Sequence, residues 1–185
     1  MQVQLKTQEY YTYTDYLTWG DDVRYELIDG VPYMMSAPTV THQGISMSLS
    51  VIFGSYFEGK KCRVFAAPFD VRLNFDKEDN TVVQPDLVII CDPDKLDDGK
   101  SCKGAPDLVV EILSPSTAKM DLLKKRNLYE KYDVKEYWIV DPVGATVDVL
   151  LLENGVYQLQ DYEKSDIIPV NIFKDLEIDL TRVFV

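Results

Sequence analysis

The chain has 185 residues, 46% of them apolar, and a formal net charge of −12. That is one domain's worth of sequence with enough apolar surface for a sizeable core, which excludes wholesale disorder. The acid excess excludes a protein that coats nucleic acid by bulk charge. It leaves open an enzyme that touches nucleic acid through a small basic patch and a metal. Cys62, Cys91 and Cys102 are an odd number without a Cys-x-x-Cys spacing. They read as reduced thiols of a cytosolic protein, and the single histidine, His42, rules out a His-rich metal centre. Met1–Lys6 shows no basic start followed by an apolar run, so neither a signal nor a transit peptide is expected. No apolar stretch approaches the roughly 18 residues of a membrane span.

In chain order, the pattern predicts a short helix over Thr14 to Trp19, with Thr12 or Thr14 as its cap. Asp29-Gly30 separates the apolar runs 24–28 and 31–35 and predicts a hairpin, because both turn positions need positive φ. Ile45, Leu49, Ile52, Phe53 and Tyr56 recur at helical spacing, which predicts a helix from His42 to about Phe57 capped by Thr41. Short β-branched or aromatic runs follow at 62–67, 69–75, 81–83 and 86–91, each predicting a strand. The Asp-rich segment 92–104 reads as a loop, and Pro106 to Leu113 as an apolar strand. Ser116 to Tyr132 reads as a helix capped by Ser116 or Thr117, and Tyr137 to Val140 as a strand ended by Asp141-Pro142. Asn154-Gly155 marks a second hairpin between 146–152 and 156–162, and the tail 167–185 adds a strand and a short terminal helix. The order predicts a mixed α/β domain with a central sheet between helices. No G-x-G-x-x-G follows a strand and there is no P-loop, so a nucleotide-binding fold is not expected.

Glu111 interrupts Leu108-Val109-Val110-Glu111-Ile112-Leu113. In an extended chain it shares a face with Val109 and Leu113, while Leu108, Val110 and Ile112 form the other. A carboxylate amid so much apolar surface must be paired, protonated or bound to a metal. Asp86 opens the apolar run 86–90, a position that a turn or cap residue also takes. If the two strands are neighbours, the carboxylates of Asp86 and Glu111 converge at one sheet end. They then repel unless a cation lies between them, and hard oxygen donors suit Mg²⁺ or Mn²⁺. Lys125 lies on one helical stripe with Asp121 and Tyr129. It is either half of a surface pair with Asp121, worth about 0.3–0.5 kcal/mol, or an ammonium reaching over the carboxylates. Residues 117–137, with six basic against four acidic groups, form the one net-basic stretch; a solvated helix face is the simpler explanation on charge alone. Glu26, flanked by apolar groups, is either inward-facing or an ordinary strand glutamate, and His42 near a helix start is most simply a cap-region residue.

Tyr25-Glu26-Leu27-Ile28-Asp29-Gly30, His42, Pro85-Asp86-Leu87-Val88, the block Glu111-Ile112-Leu113-Ser114-Pro115-Ser116-Thr117, then Asp121, Lys125, Tyr129 and Glu136-Tyr137-Trp138-Ile139-Val140-Asp141-Pro142 follow one another in order. This constellation resembles the Uma-two family of putative restriction endonucleases, within the PD-(D/E)XK nuclease superfamily, over roughly residues 10 to 180. The resemblance implies a single domain over 1–185 with a restriction endonuclease-like fold, α/β (α+β): a mixed β-sheet flanked by helices, with added hairpins. It implies Mg²⁺-dependent (or Mn²⁺-dependent) hydrolysis of DNA phosphodiesters by a cytoplasmic endonuclease, with a homodimer to cut both strands. By the same resemblance Asp86 is the motif aspartate and Glu111 the second acid, together the metal ligands. The lysine expected two residues beyond that acid is Leu113 here, and its place is taken by Lys125 on the following helix. Glu26 is then a further acid of the centre, and His42 a contact to phosphate or to a site carboxylate. The alternative is a non-catalytic nucleic-acid- or protein-binding module on the same scaffold, which the charge of −12 favours.

Overall fold

The computed structural model describes residues 10–20, 23–75, 78–114 and 118–184, with the side chains of 118–122 left aside. Helix α1 (Tyr13–Tyr16) is capped by Thr12, whose hydroxyl and backbone N–H exchange bonds with Asp15 in a capping box. Strands β1 (Tyr25–Ile28) and β2 (Val31–Met34) form the expected hairpin, with Asp29 at φ 46° and Gly30 at φ 80°. Helix α2 (Val40–Phe57) starts one turn earlier than its apolar periodicity. Thr39, not Thr41, is its cap, because the Thr39 hydroxyl accepts from the His42 N–H at 3.2 Å.

Strands β3 (Arg63–Ala66), β4 (Asp70–Arg72), β5 (Val82–Val83) and β6 (Leu87–Ile90) follow. The segment read as a plain Asp-rich loop holds a 3-10 turn (Pro93–Leu96) and a strand, β7 (Ser101–Lys103), which pairs parallel with β4. Then come β8 (Leu108–Ile112), helix α3 (Ala118–Lys131) and β9 (Glu136–Asp141). Strands β10 (Thr146–Glu153) and β11 (Val156–Glu163) turn on Asn154 and Gly155, both at positive φ. The tail forms its own two-stranded ribbon, β12 (Ile167–Pro169) with β13 (Glu177–Asp179), before a 3-10 turn. The Ser116 and Thr117 cap of α3 lies outside the described residues.

Two larger sheets result. One has the order β11-β10-β9-β8-β6-β3, the other β2-β1-β5-β4-β7. In the first, only β8 and β9 are parallel, and α3 is the crossover that parallel neighbours require. The alternation through Glu111 sorts the core. Leu108, Val110 and Ile112 face α2 through Ile45, Leu49 and Phe53. Val109 faces α3 through Leu128 and Tyr129, and the second sheet adds Val71, Val83 and Cys102 to that layer. Between β5 and β6 the chain crosses from one sheet to the other through Gln84, Pro85 and Asp86.

The cysteines are not three reduced thiols. Cys62 and Cys91 are joined by a disulfide, and Cys102 is the free, buried one among the described residues. The bonded pair flanks the cross-strand partners Arg63 and Ile90, so the antiparallel pairing of β3 and β6 brings together residues 29 positions apart. That proximity is invisible in spacing, and the thiol argument for a cytosolic location does not hold for this pair. No helix among the described residues is long and apolar enough to cross a membrane.

Candidate active site

Strands β6 and β8 are antiparallel neighbours, with Leu87 opposite Val110 and Val88 opposite Val109. The next step of that register sets Asp86 across from Glu111. The Asp86 carboxylate is pinned through one oxygen: Oδ2 accepts from the Ile112 N–H at 2.8 Å and lies 3.1 Å from His42 Nε2. The cap that starts α2 at Thr39 is what sets His42 at that sheet end. Hydrogen bonding to Asp86 raises the His42 pKa above its usual value, against the pull of burial. His42 Nδ1 is buried with no hydrogen-bond partner among the described residues.

Glu111 is held by α3. Its Oε1 accepts from Lys125 Nζ at 2.9 Å and from Tyr129 Oη at 2.7 Å. Lys125 and Tyr129 are four apart, so one helix face delivers both. The same ammonium reaches Glu26 Oε1 at 2.9 Å, and Glu26 also accepts from the Gln84 N–H at 2.9 Å. Lys125 is therefore buried and bridges a carboxylate from each large sheet. It does not lie on the surface, and the Asp121 side chain, its other candidate partner, lies outside the described residues. Its neighbour Lys124 points elsewhere, onto the exposed Tyr33 hydroxyl.

The charges follow from burial. Desolvation pushes the Glu111 carboxyl up to about 7, even with the Lys125 ammonium pulling it down; the charges of Asp86 and Glu26 push the same way as burial. Burial also works against the Lys125 ammonium, but Glu111 and Glu26 outweigh it and hold its pKa well above the usual lysine value. Burial and the neighbouring carboxylates raise Tyr129, so its hydroxyl stays protonated and donates to Glu111.

These side chains open onto a cleft of about 310 Å³, lined by Asp86, Glu111, Lys125, Glu26, His42 and Arg24. All five residues singled out in the sequence thus meet in one place. Sequence reasoning missed Arg24 and Gln84. Arg24 shares the Glu26 face of its strand by alternation and Gln84 stands two residues before Asp86, so each lay one period-two step from a residue already noticed.

Among the described residues no three His, Cys, Asp or Glu side chains are arranged to hold a metal ion. Asp86 and Glu111 bring two carboxylates to one sheet end. Among the described residues Asp86 Oδ1 and Glu111 Oε2 accept no hydrogen bond, and the Asp86 charge raises the Glu111 pKa, so the two charges repel. One or two carboxylates, with water and substrate phosphate completing the shell, is how Mg²⁺ is commonly bound, and the donor set fits that ion.

Residues 8–181 match a family model, Uma2, described as "Putative restriction endonuclease". An uncharacterized protein of Synechocystis sp., slr1290, is 30% identical over 158 residues, 82% of this chain and 80% of that one. The crystal structure of a protein of Anabaena variabilis, described as a putative nuclease belonging to DUF820, superimposes with a TM-score of 0.76 at 19% identity. That superposition covers 94% of this chain and 97% of that one and shows a shared fold.

Proposed function

This chain belongs to the Uma2 family, and from that premise we propose that it is a divalent-metal-dependent endonuclease that hydrolyses DNA phosphodiesters. The observation that carries the reading is the convergence on one cleft of two facing carboxylates, Asp86 and Glu111, with a buried ammonium 2.9 Å from one of them. Asp86 and Glu111 are the residues to hold Mg²⁺ or Mn²⁺, which when bound supplies Lewis-acid polarisation of a phosphoryl oxygen and an acidified water.

The remaining work falls to the chain. The Lys125 ammonium, kept charged by Glu26, orients the attacking water or steadies the phosphate oxygens. Glu26 holds that ammonium at the junction of the two sheets. His42 and the Ile112 N–H fix one Asp86 oxygen and leave the other to the cleft. The Tyr129 hydroxyl does the same for Glu111. Phosphoryl transfer makes few covalent demands on a protein, so positioning of this kind is most of what is needed.

Cutting both strands of a duplex calls for two centres, and the proposal includes a symmetric dimer. Its support is α2, which carries no Asp, Glu, Lys or Arg along its length and exposes Val40, Met47 and Val51. Two chains of net charge −12 can approach on that face with the least repulsion. The reading carries a cytoplasmic location, where a nuclease meets DNA.

The test is cleavage of plasmid and oligonucleotide DNA with Mg²⁺, with Mn²⁺ and with EDTA, for the unaltered protein, Glu111→Ala and Lys125→Ala, alongside sedimentation. Metal-dependent cleavage lost in both variants supports the proposal. A folded protein that cleaves nothing with either ion refutes it and leaves the binding-module alternative.

A further inference from the structure

One cation in the cleft takes no part in the centre described above. Arg24 donates from Nε and Nη2 to a single acceptor, Gln84 Oε1, at 3.0 and 2.7 Å. The Gln84 amide cannot turn, because its Nε2 donates to Tyr16 Oη at 2.9 Å and to Asp70 Oδ1 at 2.8 Å. Asp70 in turn accepts from Tyr16 Oη at 3.1 Å and Tyr13 Oη at 3.4 Å. A polar chain running from α1 through Asp70 and Gln84 therefore ends on the guanidinium and fixes its plane.

The acceptor behind that guanidinium is a neutral amide. It satisfies two N–H groups and brings no negative charge. Several other cations of this acid-rich chain are paired with carboxylates: Arg72 with Asp79 and Asp98, Lys103 with Asp97, Lys135 with Asp107. Among the described residues Arg24 has no carboxylate within ion-pair distance, and its Nη1 donates no hydrogen bond. The other cation of the cleft, Lys125, is already shared between Glu26 and Glu111. A planar guanidinium held through Nε and Nη2, with no carboxylate partner among the described residues, is matched to two oxygens of a phosphate.

We propose that Arg24 anchors a phosphate-binding subsite of the cleft, which takes a backbone phosphodiester of the substrate beside the Asp86–Glu111 pair. The inference rests on the nuclease reading for its substrate, but not for its anion chemistry. Gln84, Asp70 and Tyr16 are positioning residues for that guanidinium.

Two probes separate the claims. Inorganic pyrophosphate is titrated calorimetrically in EDTA, and a short fluorescent DNA duplex is titrated by anisotropy in Ca²⁺ over a series of salt concentrations. The proteins are the unaltered chain, Arg24→Ala and Arg24→Lys, with folding checked by thermal melts. Expected is a loss of about tenfold in affinity for both probes in Arg24→Ala, the size of one charge-assisted contact. The slope of log affinity against log salt should fall by about one, as for one lost phosphate contact. Arg24→Lys should recover the slope and part of the affinity. Pyrophosphate binding that depends on Arg24, with no duplex binding, upholds the anion subsite and refutes the DNA reading. Duplex binding with an unchanged slope in Arg24→Ala overturns the subsite and spares the DNA reading. Absence of pyrophosphate and duplex binding by the unaltered protein overturns the subsite.

Discussion

Glu111→Gln should stabilise this protein, and increasingly so as pH rises. The side chain is half-buried, and its carboxyl is raised from the ordinary 4.5 to about 7, first by desolvation and then by the charges of Asp86 and Glu26. A group whose folded pKa lies above its unfolded one contributes stability that is fully present below the unfolded value and is lost as pH climbs through the folded value. Here the window runs from about pH 4.5 to just above 7. Between 4.5 and about 7, at about 1.4 kcal/mol for each tenfold change in proton affinity, the loss is bounded at about 3 kcal/mol. Glutamine keeps the shape and an oxygen to accept from Lys125 and Tyr129, and Lys125 keeps Glu26 as a counter-ion. Urea unfolding of both proteins in EDTA, at pH 5, 6, 7 and 8, measures the difference. The two should lie within about 1 kcal/mol at pH 5, where both side chains are neutral, the variant then gaining up to about 3 kcal/mol by pH 8. A difference that stays flat, or a variant that weakens as pH rises, would show that the Lys125 ion pair outweighs desolvation and that Glu111 is a structural partner. Mg²⁺ should stabilise the unaltered protein at pH 8 and leave Glu111→Gln nearly unmoved, because the ion neutralises the same repulsion.

Lys125→Ala should abolish metal-dependent cleavage and cost about 3–5 kcal/mol of stability, since it strands the buried Glu26 and the half-buried Glu111 without a cation. Lys124→Ala, which loses only an exposed contact to Tyr33, should change the melting temperature and cleavage little in parallel assays. As the single histidine, His42 gives one isolated imidazole signal in proton NMR, and its pKa should sit above the usual 6.5 and fall in Asp86→Asn. Its contribution to stability is present below pH 6.5 and fades as pH rises through the higher folded value, so Asp86→Asn should lose most at acid pH. Glu136→Ala should destabilise by about 2–4 kcal/mol in urea without touching the cleft, because Glu136 is fully buried and accepts from Trp138 Nε1 and from the backbone N–H groups of Asn171 and Ile172.

Local chemistry alone determined a good part of this molecule. Asp29-Gly30 and Asn154-Gly155 specified both hairpins, because positive φ at consecutive residues is a property of those residues and not of their surroundings. Period-two alternation through Glu111 sorted β8 into two faces, and the fold then set one against α2 and the other against α3. Four-residue spacing put Lys125 and Tyr129 on one helix face, and the family motifs singled out the five residues that meet in the cleft. What the sequence could not decide is who pairs with whom across long separations. Lys125 reaches a glutamate 99 residues away, Gln84 one 58 residues away, and Cys62 finds Cys91 only because β3 and β6 are neighbours. Strand β7 hid in the Asp-rich segment 92–104, since its pairing with β4 is made by backbone groups that every residue carries. The division of the strands into two sheets, which brings Glu26 from one and Glu111 from the other to a single ammonium, belongs to the same class of fact. Hydrogen bonding and desolvation act through distance in space, and only the folded chain sets those distances.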